Sequence, residues 1–204
     1  MIDYRIIPVG SFDVNCALVS CGTECVIVDP GQEARVILAK IKVEGLTPRA
    51  ILLTHCHFDH VGGVPDLQAS CPGLPVYAHP CDWPMFGHPM NAFPPEYPPV
   101  SKPSDLRDIR NAPSDLPDFG FEILETPGHT PGSVCVRAGN MLFSGDTLFA
   151  GSCGRTDFPG GSMRDMRGSL LELMQLPGET QVIPGHGGAT TIARESETNP
   201  FIVR

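Results

Sequence analysis

The chain has 204 residues, enough for one domain with a substantial apolar core and no need of disulfide staples. Its formal net charge of −9 argues against nucleic acid or an anionic membrane surface as a partner, because neither is attracted to an acidic chain. Charged residues make up only 18% of the chain, while Gly and Pro number 22 each, which predicts many turns and functional loops rather than long helices.

The first residues show no basic segment followed by a long apolar one, and no run reaches transmembrane length. The eight cysteines therefore read as reduced thiols, several on strands, and the expected location is cytoplasmic. A zinc site built from Cys16, Cys21 and Cys25 matches no common ligand spacing. Residues 4–9, 15–20 and 25–29 form a predicted β-meander, with Asp29-Pro30-Gly31 closing its third strand. A helix is predicted over 33–44, where apolar residues recur at 34, 37, 38 and 41 and Gly45 supplies a stop.

The apolar run 50–54 is read as a strand that delivers Thr54-His55-Cys56-His57-Phe58-Asp59-His60 at its end. Three imidazoles and a carboxylate within six residues exceed anything packing requires, and they suit a divalent metal. A helix beginning at 64–69 and a strand over 75–79 follow. Residues 80–119 then break the rhythm with ten prolines beside Trp83, Met85, Phe86, Met90, Phe93 and Tyr97. This stretch is expected to be an inserted loop that walls a pocket or makes a subunit contact, the latter implying a homo-oligomer.

Strands resume over 121–126, 133–137, 141–144 and 180–183, with a helix from Ser162 to about Gln175 and a last short helix within 190–198. Ligand-type residues recur just beyond strand ends: His129 in a Gly/Pro turn, Asp146 after a glycine, and His186 between two glycines. Rigid strands ending in loops that converge are how a site is assembled. His79 and His88 stand outside this pattern and are read as non-ligands.

The series His55-x-His57-x-Asp59-His60, His129, Asp146 and His186 resembles the metallo-β-lactamase-fold hydrolases, most closely their glyoxalase II-like group. The likeness runs from Asn15-Cys16 and Val28-Asp29-Pro30-Gly31 to Pro184-Gly185-His186-Gly187. It implies a four-layer αβ/βα sandwich, two mixed β-sheets face to face with helices outside and the metals at one edge. It implies one metal on His55, His57 and His129, a second on Asp59, His60 and His186, and Asp146 bridging both. The metals are expected to be zinc, with iron or manganese also compatible with these ligands.

Two cations sharing one water bring its pKa from ~15.7 toward ~7, so a metal-bridging hydroxide is the expected nucleophile, with Asp59 and Asp146 the catalytic carboxylates. The implied substrate is a small-molecule thioester, S-lactoylglutathione or a relative. Arg155 is the implied substrate-binding residue, and Asp29 is expected to support the ligand loop from behind. Two departures from glyoxalase II stand out. Asp157 occupies a position where that enzyme places an aromatic residue, and the chain ends soon after His186, so its C-terminal glutathione-binding helical domain is expected to be absent. The alternative is a persulfide dioxygenase of the same fold, with one iron on His55, His129 and Asp146; such enzymes carry a segment very similar to Gly154-Arg155-Thr156-Asp157-Phe158.

Overall fold

The structure, a computed structural model, describes residues 2–202. Strands β1 (Ile2–Val9), β2 (Val14–Cys21) and β3 (Glu24–Val28) form the predicted meander, followed by helix α1 (Ala34–Val43) and strand β4 (Thr47–Leu52). Helices α2 (Phe58–Val61) and α3 (Val64–Ser70), strands β5 (Val76–Ala78) and β6 (Leu106–Asp108), and helix α4 (Ala112–Asp115) complete the first half. The second half comprises β7 (Phe121–Glu125), β8 (Val134–Ala138), β9 (Met141–Gly145), the short pair β10 (Leu148–Phe149) and β11 (Ser152–Cys153), α5 (Met163–Leu173), β12 (Gln181–Pro184), β13 (Thr190–Thr191) and α6 (Ile192–Thr198).

Two mixed sheets result. The first runs β1-β2-β3-β4-β5-β6, antiparallel at the meander and parallel from β3 onward. The second runs β13-β12-β9-β8-β7, with β12 and β9 parallel. Side-chain alternation along β2 shows the layering: Ala17 and Val19 face the second sheet's Val136 and Phe143 in one apolar cluster, while Cys16 and Leu18 face Ile37 and Ile41 of α1 in another. Beyond the second sheet, Met166, Leu170 and Leu173 of α5 pack on Leu142 and Val182. Burial on both faces explains why 26–28 and 50–53 read as continuous apolar runs without alternation. The result is a four-layer sandwich, two mixed sheets face to face with helices outside, as the motif series implied.

The reading of 80–119 as a loop without regular structure requires correction. Leu106–Asp108 pairs in parallel with Val76–Ala78 and extends the first sheet, and short helical turns occupy 80–85, 109–111 and 117–119 around α4. Proline stands in the first turn of the pieces at 80–85, 112–115 and 117–119, and each runs only a turn or two, so the sequence shows no period, yet buried Tyr97, Ile109 and Phe119 anchor the segment. The expectation of a pocket wall fares better. Tyr97 and Phe93 pack against Phe12 and Phe58, two rings that face the site. No helix among the described residues is long and apolar enough to cross a membrane.

Candidate metal centre

Every candidate ligand lies beyond a strand end, and the loops carrying them converge. Asp29, at the end of β3 in a left-handed conformation (φ 48°), holds the first loop from behind. Its carboxylate accepts from the Thr54 amide at 2.8 Å and the Thr54 hydroxyl at 2.6 Å, and it lies 3.0 Å from His60 Nδ1. The last loop is held by Asn15, whose side-chain amide donates to the Pro184 and Gly187 carbonyls at 3.0 and 2.9 Å. This gives the Asn15-Cys16 motif a physical role. Gly185 is required there, since a Cβ would collide with the Asp146 carboxylate and approach His60 Cε1 to 2.8 Å.

The hydrogen bonds fix which ring nitrogen faces inward. His129 Nδ1 lies 2.7 Å from the Arg155 carbonyl and His186 Nδ1 2.8 Å from the Phe12 carbonyl. A carbonyl only accepts, so both Nδ1 atoms carry the proton and both Nε2 atoms present a lone pair. Asp29, 3.0 Å from His60 Nδ1, favours the proton on that nitrogen too, through its charge rather than an aligned hydrogen bond. The Thr54 hydroxyl, its own proton given to Asp29, accepts from His55 Nδ1 at 3.1 Å. Four imidazoles are thus held in the ligating tautomer by groups behind them, the usual arrangement at metal sites.

These lone pairs meet in a small volume. His55, His57 and His129 bring ligand atoms within 4.8 Å of one another, as do Asp59, His60 and His186, and a third set joins His55, His60 and Asp146. His57 Nδ1 and His129 Nε2 are 2.8 Å apart. Asp146 lies between the groups, with Oδ1 3.5 Å from His60 Nε2 and Oδ2 3.6 and 3.7 Å from His129 and His186 Nε2. His55 Nε2 and Asp146 Oδ1 are buried without a hydrogen-bond partner. Orphaned acceptors aimed at one point fit divalent cations and are costly otherwise. The seven residues named from the sequence are therefore brought together, in three overlapping groups, with Asp146 facing His60, His129 and His186.

Electrostatics favour the ligating forms of His55, His57 and Asp146, whereas the carboxylates around His60 and His186 favour a proton on those two rings. Burial, reinforced by the neighbouring imidazoles, holds His55 well below the ordinary histidine range, and burial with His129 brings His57 down to about 3. Burial alone would raise Asp146, but the facing imidazoles, His60 first, hold it down at about 2, so it stays ionised. Burial would also lower His60, but the Asp29 and Asp146 carboxylates outweigh it and raise that ring. The Cys56 side chain points into the core, away from the ligands, and burial raises its thiol well above the ordinary range. His79 and His88 stay outside the cluster, each accepting a backbone N–H from two residues onward.

Arg155 lines the cleft, but its guanidinium forks onto Asp157 at 2.7 and 2.8 Å and stacks on the Phe158 ring at 3.9 Å. The residue that replaces the aromatic of glyoxalase II is thus the partner of the arginine, and the ring comes from one position later.

Asp82 was not singled out from the sequence. It lies in the proline-rich segment, is fully buried, and accepts from the Cys56 amide, the Thr130 hydroxyl and the Gly132 amide at 3.1, 2.8 and 2.8 Å. It ties the loop of His55 and His57 to the loop of His129, and a Cβ at Gly132 would come within 2.6 Å of its Oδ1. Asn91 acts similarly, accepting from the Phe58 amide and donating to the Cys56 carbonyl. An Asp or Asn among prolines reads locally as a turn residue, and nothing in the segment signals a distant partner.

The family profile described as the metallo-beta-lactamase superfamily matches residues 9–186. The probable metallo-hydrolase YqgX of Bacillus subtilis (strain 168) is 38% identical over 208 residues, covering 98% of this chain and 97% of its own. The hydroxyacylglutathione hydrolase GloC of Haemophilus influenzae is 34% identical over 217 residues, covering 98% of each chain. Among solved structures, BLEG-1 B3 metallo-beta-lactamase superposes with TM-score 0.91 at 35% identity, covering 99% of this chain and 100% of that one. TTHA1623 in a di-iron-bound form gives TM-score 0.87 at 42% identity, covering 97% and 99%. ETHE1 from Myxococcus xanthus is further away, with TM-score 0.73 at 27% identity over 97% of this chain and 83% of that one.

Proposed function

The chain belongs to the metallo-beta-lactamase superfamily and is a metallo-hydrolase of that fold, and from that premise we propose that it hydrolyses thioesters, in the manner of glyoxalase II, at a pair of divalent cations. The observation that carries this reading is the pair of closed triads, His55/His57/His129 and Asp59/His60/His186, with the Asp146 carboxylate between them. When bound, the two cations supply an activated water and polarise the substrate carbonyl. The chain's own residues do the rest. Asp29, Thr54 and the Arg155 and Phe12 carbonyls hold four imidazoles in register. Asp59 Oδ2 lies 3.4 Å from His186 Nε2, and His186 keeps that carboxylate ionised against burial, the form in which it can hold a cation.

The leaving group supports a thioester. Among the described residues lining the cleft, every titratable side chain except Arg155 belongs to the two triads or is Asp146, and an arginine does not give up its proton. An amide nitrogen needs a proton to leave, whereas a thiolate, with a conjugate acid near ~8.5, departs without one. For the cations, the ligand set suits zinc, iron and manganese alike, and TTHA1623 was solved with two irons. The dioxygenase alternative uses three of these residues; it leaves His57, Asp59, His60 and His186 without a role, although the Phe12 carbonyl holds His186 facing inward.

Metal content per chain, thioester hydrolysis (S-lactoylglutathione and a simple acyl thioester) and persulfide-dependent oxygen uptake, measured on one preparation, test the proposal. Two metals with hydrolysis are expected, and a single iron with oxygen consumption would overturn it. His186→Ala is expected to lose one metal per chain and at least 100-fold in kcat, on the order of what removing such a group costs; near-normal hydrolysis would count against a dinuclear centre.

A further inference from the structure

Beside the metal cleft lies a second hollow with a different lining. The cleft, about 450 Å³, holds the ligand atoms on its floor. The neighbouring channel, about 270 Å³, is walled mainly by Pro84, Met85, Met90, Phe158 and Pro159, with His88 and Asn91 as its polar members, and it shares His57, Phe58 and Phe158 with the cleft. The two hollows therefore adjoin, and the lining turns from mostly polar to mostly apolar at His57, whose ring meets Phe158 edge-on at 5.5 Å. The channel is a little smaller than the ~300 Å³ typical of the smallest ligand sites, suiting one arm of a substrate rather than a whole one.

The rim is unusually greasy. Met90 is 80% exposed, and Phe158 (38%), Phe12 (39%) and Phe93 (55%) also stand out at or near the mouth. Large apolar side chains left in water around one opening mark a recognition surface, and methionine adapts its shape to differing apolar guests. Charge points the same way. Arg155 is the one Lys or Arg among the described residues lining either hollow, and Asp157 already occupies its fork. A substrate arm bearing carboxylates would have to displace Asp157 from within a chain of net charge −9. An apolar arm displaces only water.

We propose that the channel beside His57 is a substrate subsite for an uncharged, unbranched aliphatic arm of the thioester, so that the preferred substrates are medium-chain acyl or S-alkyl thioesters rather than glutathione conjugates. This rests on the thioesterase reading of the metal cleft. Met85 and Phe158 wall the arm, Met90 closes over its end, and His57 marks where the arm meets the reacting carbonyl.

The test uses the full metal-loaded protein and two series of N-acetylcysteamine-type thioesters. One lengthens the acyl group from acetyl to octanoyl, and the other keeps the acetyl group and lengthens the thiol. In one series kcat/KM is expected to rise up to about fourfold per methylene until the channel is filled, the equivalent of about 0.8 kcal/mol each. S-lactoylglutathione should fall below the best member of that series. Met85→Gln should flatten the slope. Flat profiles in both series, with hydrolysis intact, would overturn the subsite and leave the thioesterase reading standing.

A second readout does not depend on turnover. With ¹³C-methyl-labelled methionine, a hexanoyl analogue carrying a methylene in place of sulfur should shift the Met85 and Met90 resonances and leave buried Met166 unmoved. Such shifts without hydrolysis of any thioester would keep the subsite and overturn the thioesterase reading. No shift at either methionine would overturn the subsite.

Discussion

At the scale of single residues, the site is governed less by its ligands than by the atoms that hold them. Asp82 is the clearest case, a carboxylate without solvent contact that receives three hydrogen bonds from two ligand-bearing loops. Burial raises its pKa, and those donors work against that rise. Asp82→Asn puts an NH2 group against a backbone N–H or a hydroxyl, so a loss of about 1–3 kcal/mol in stability is expected, measured by urea unfolding. Chelator competition should show cation affinity about 10–100-fold weaker in the same variant, as for other outer partners of metal ligands. The thiols make a second prediction. Cys81 is exposed, whereas Cys16, Cys56 and Cys135 are buried and burial lifts all three thiols, Cys135 to about 12. A thiol reagent at neutral pH should modify Cys81 readily in the native protein and those three only after unfolding, read by mass spectrometry.

At the scale of elements, the proline-rich segment is part of the site's framework. It supplies β6 to the edge of the first sheet, Asp82 and Asn91 to the backs of the ligand loops, and Tyr97 to the ring cluster under Phe58. Asn91→Ala removes bonds to the Phe58 amide and the Cys56 carbonyl. A cost of about 1–2 kcal/mol is expected, with faster hydrogen exchange at the Phe58 amide than at the amides of β4. Unchanged exchange at Phe58 would show that the one-turn helix α2 holds itself.

At the scale of the whole molecule, two sheets bring together loops from opposite ends of the chain, and cations join what the backbone has placed. Binding to the folded form alone stabilises it by about 2.7 kcal/mol at a free concentration 100 times Kd. For a chain of this size that raises Tm by about 5–10 °C, and a strong chelator should reverse the gain in calorimetry. The effect depends on pH with a definite sign. In the metal-free protein the carboxylates around His60 and His186 raise both rings despite burial, so cations must displace protons there. Cation affinity therefore weakens as pH falls through the raised range of these two rings, and the Tm gain should be larger at about pH 8 than at about pH 6.

The spacing of ligand types along the chain made His55, His57, Asp59, His60, His129, Asp146 and His186 candidates, because each lies just beyond a strand end, and the resemblance to the metallo-β-lactamase-fold hydrolases divided them between two cations. Periodicity likewise located the meander, α1, α5 and most strands, since those elements bury a face that recurs in the sequence. Asp29 was legible as a strand-end carboxylate beside the ligand loop. The sequence could not reveal what depends on contacts between distant segments: the Phe12 carbonyl that sets the tautomer of His186, or Asp82 hidden among prolines. A hydrogen bond across more than twenty residues leaves no local pattern, and an apolar channel exists only once 84–90 is laid beside 158–159. Ligand identity is a property of residue chemistry, whereas proton placement and substrate shape are properties of the folded surface, and here only the tertiary structure decided them.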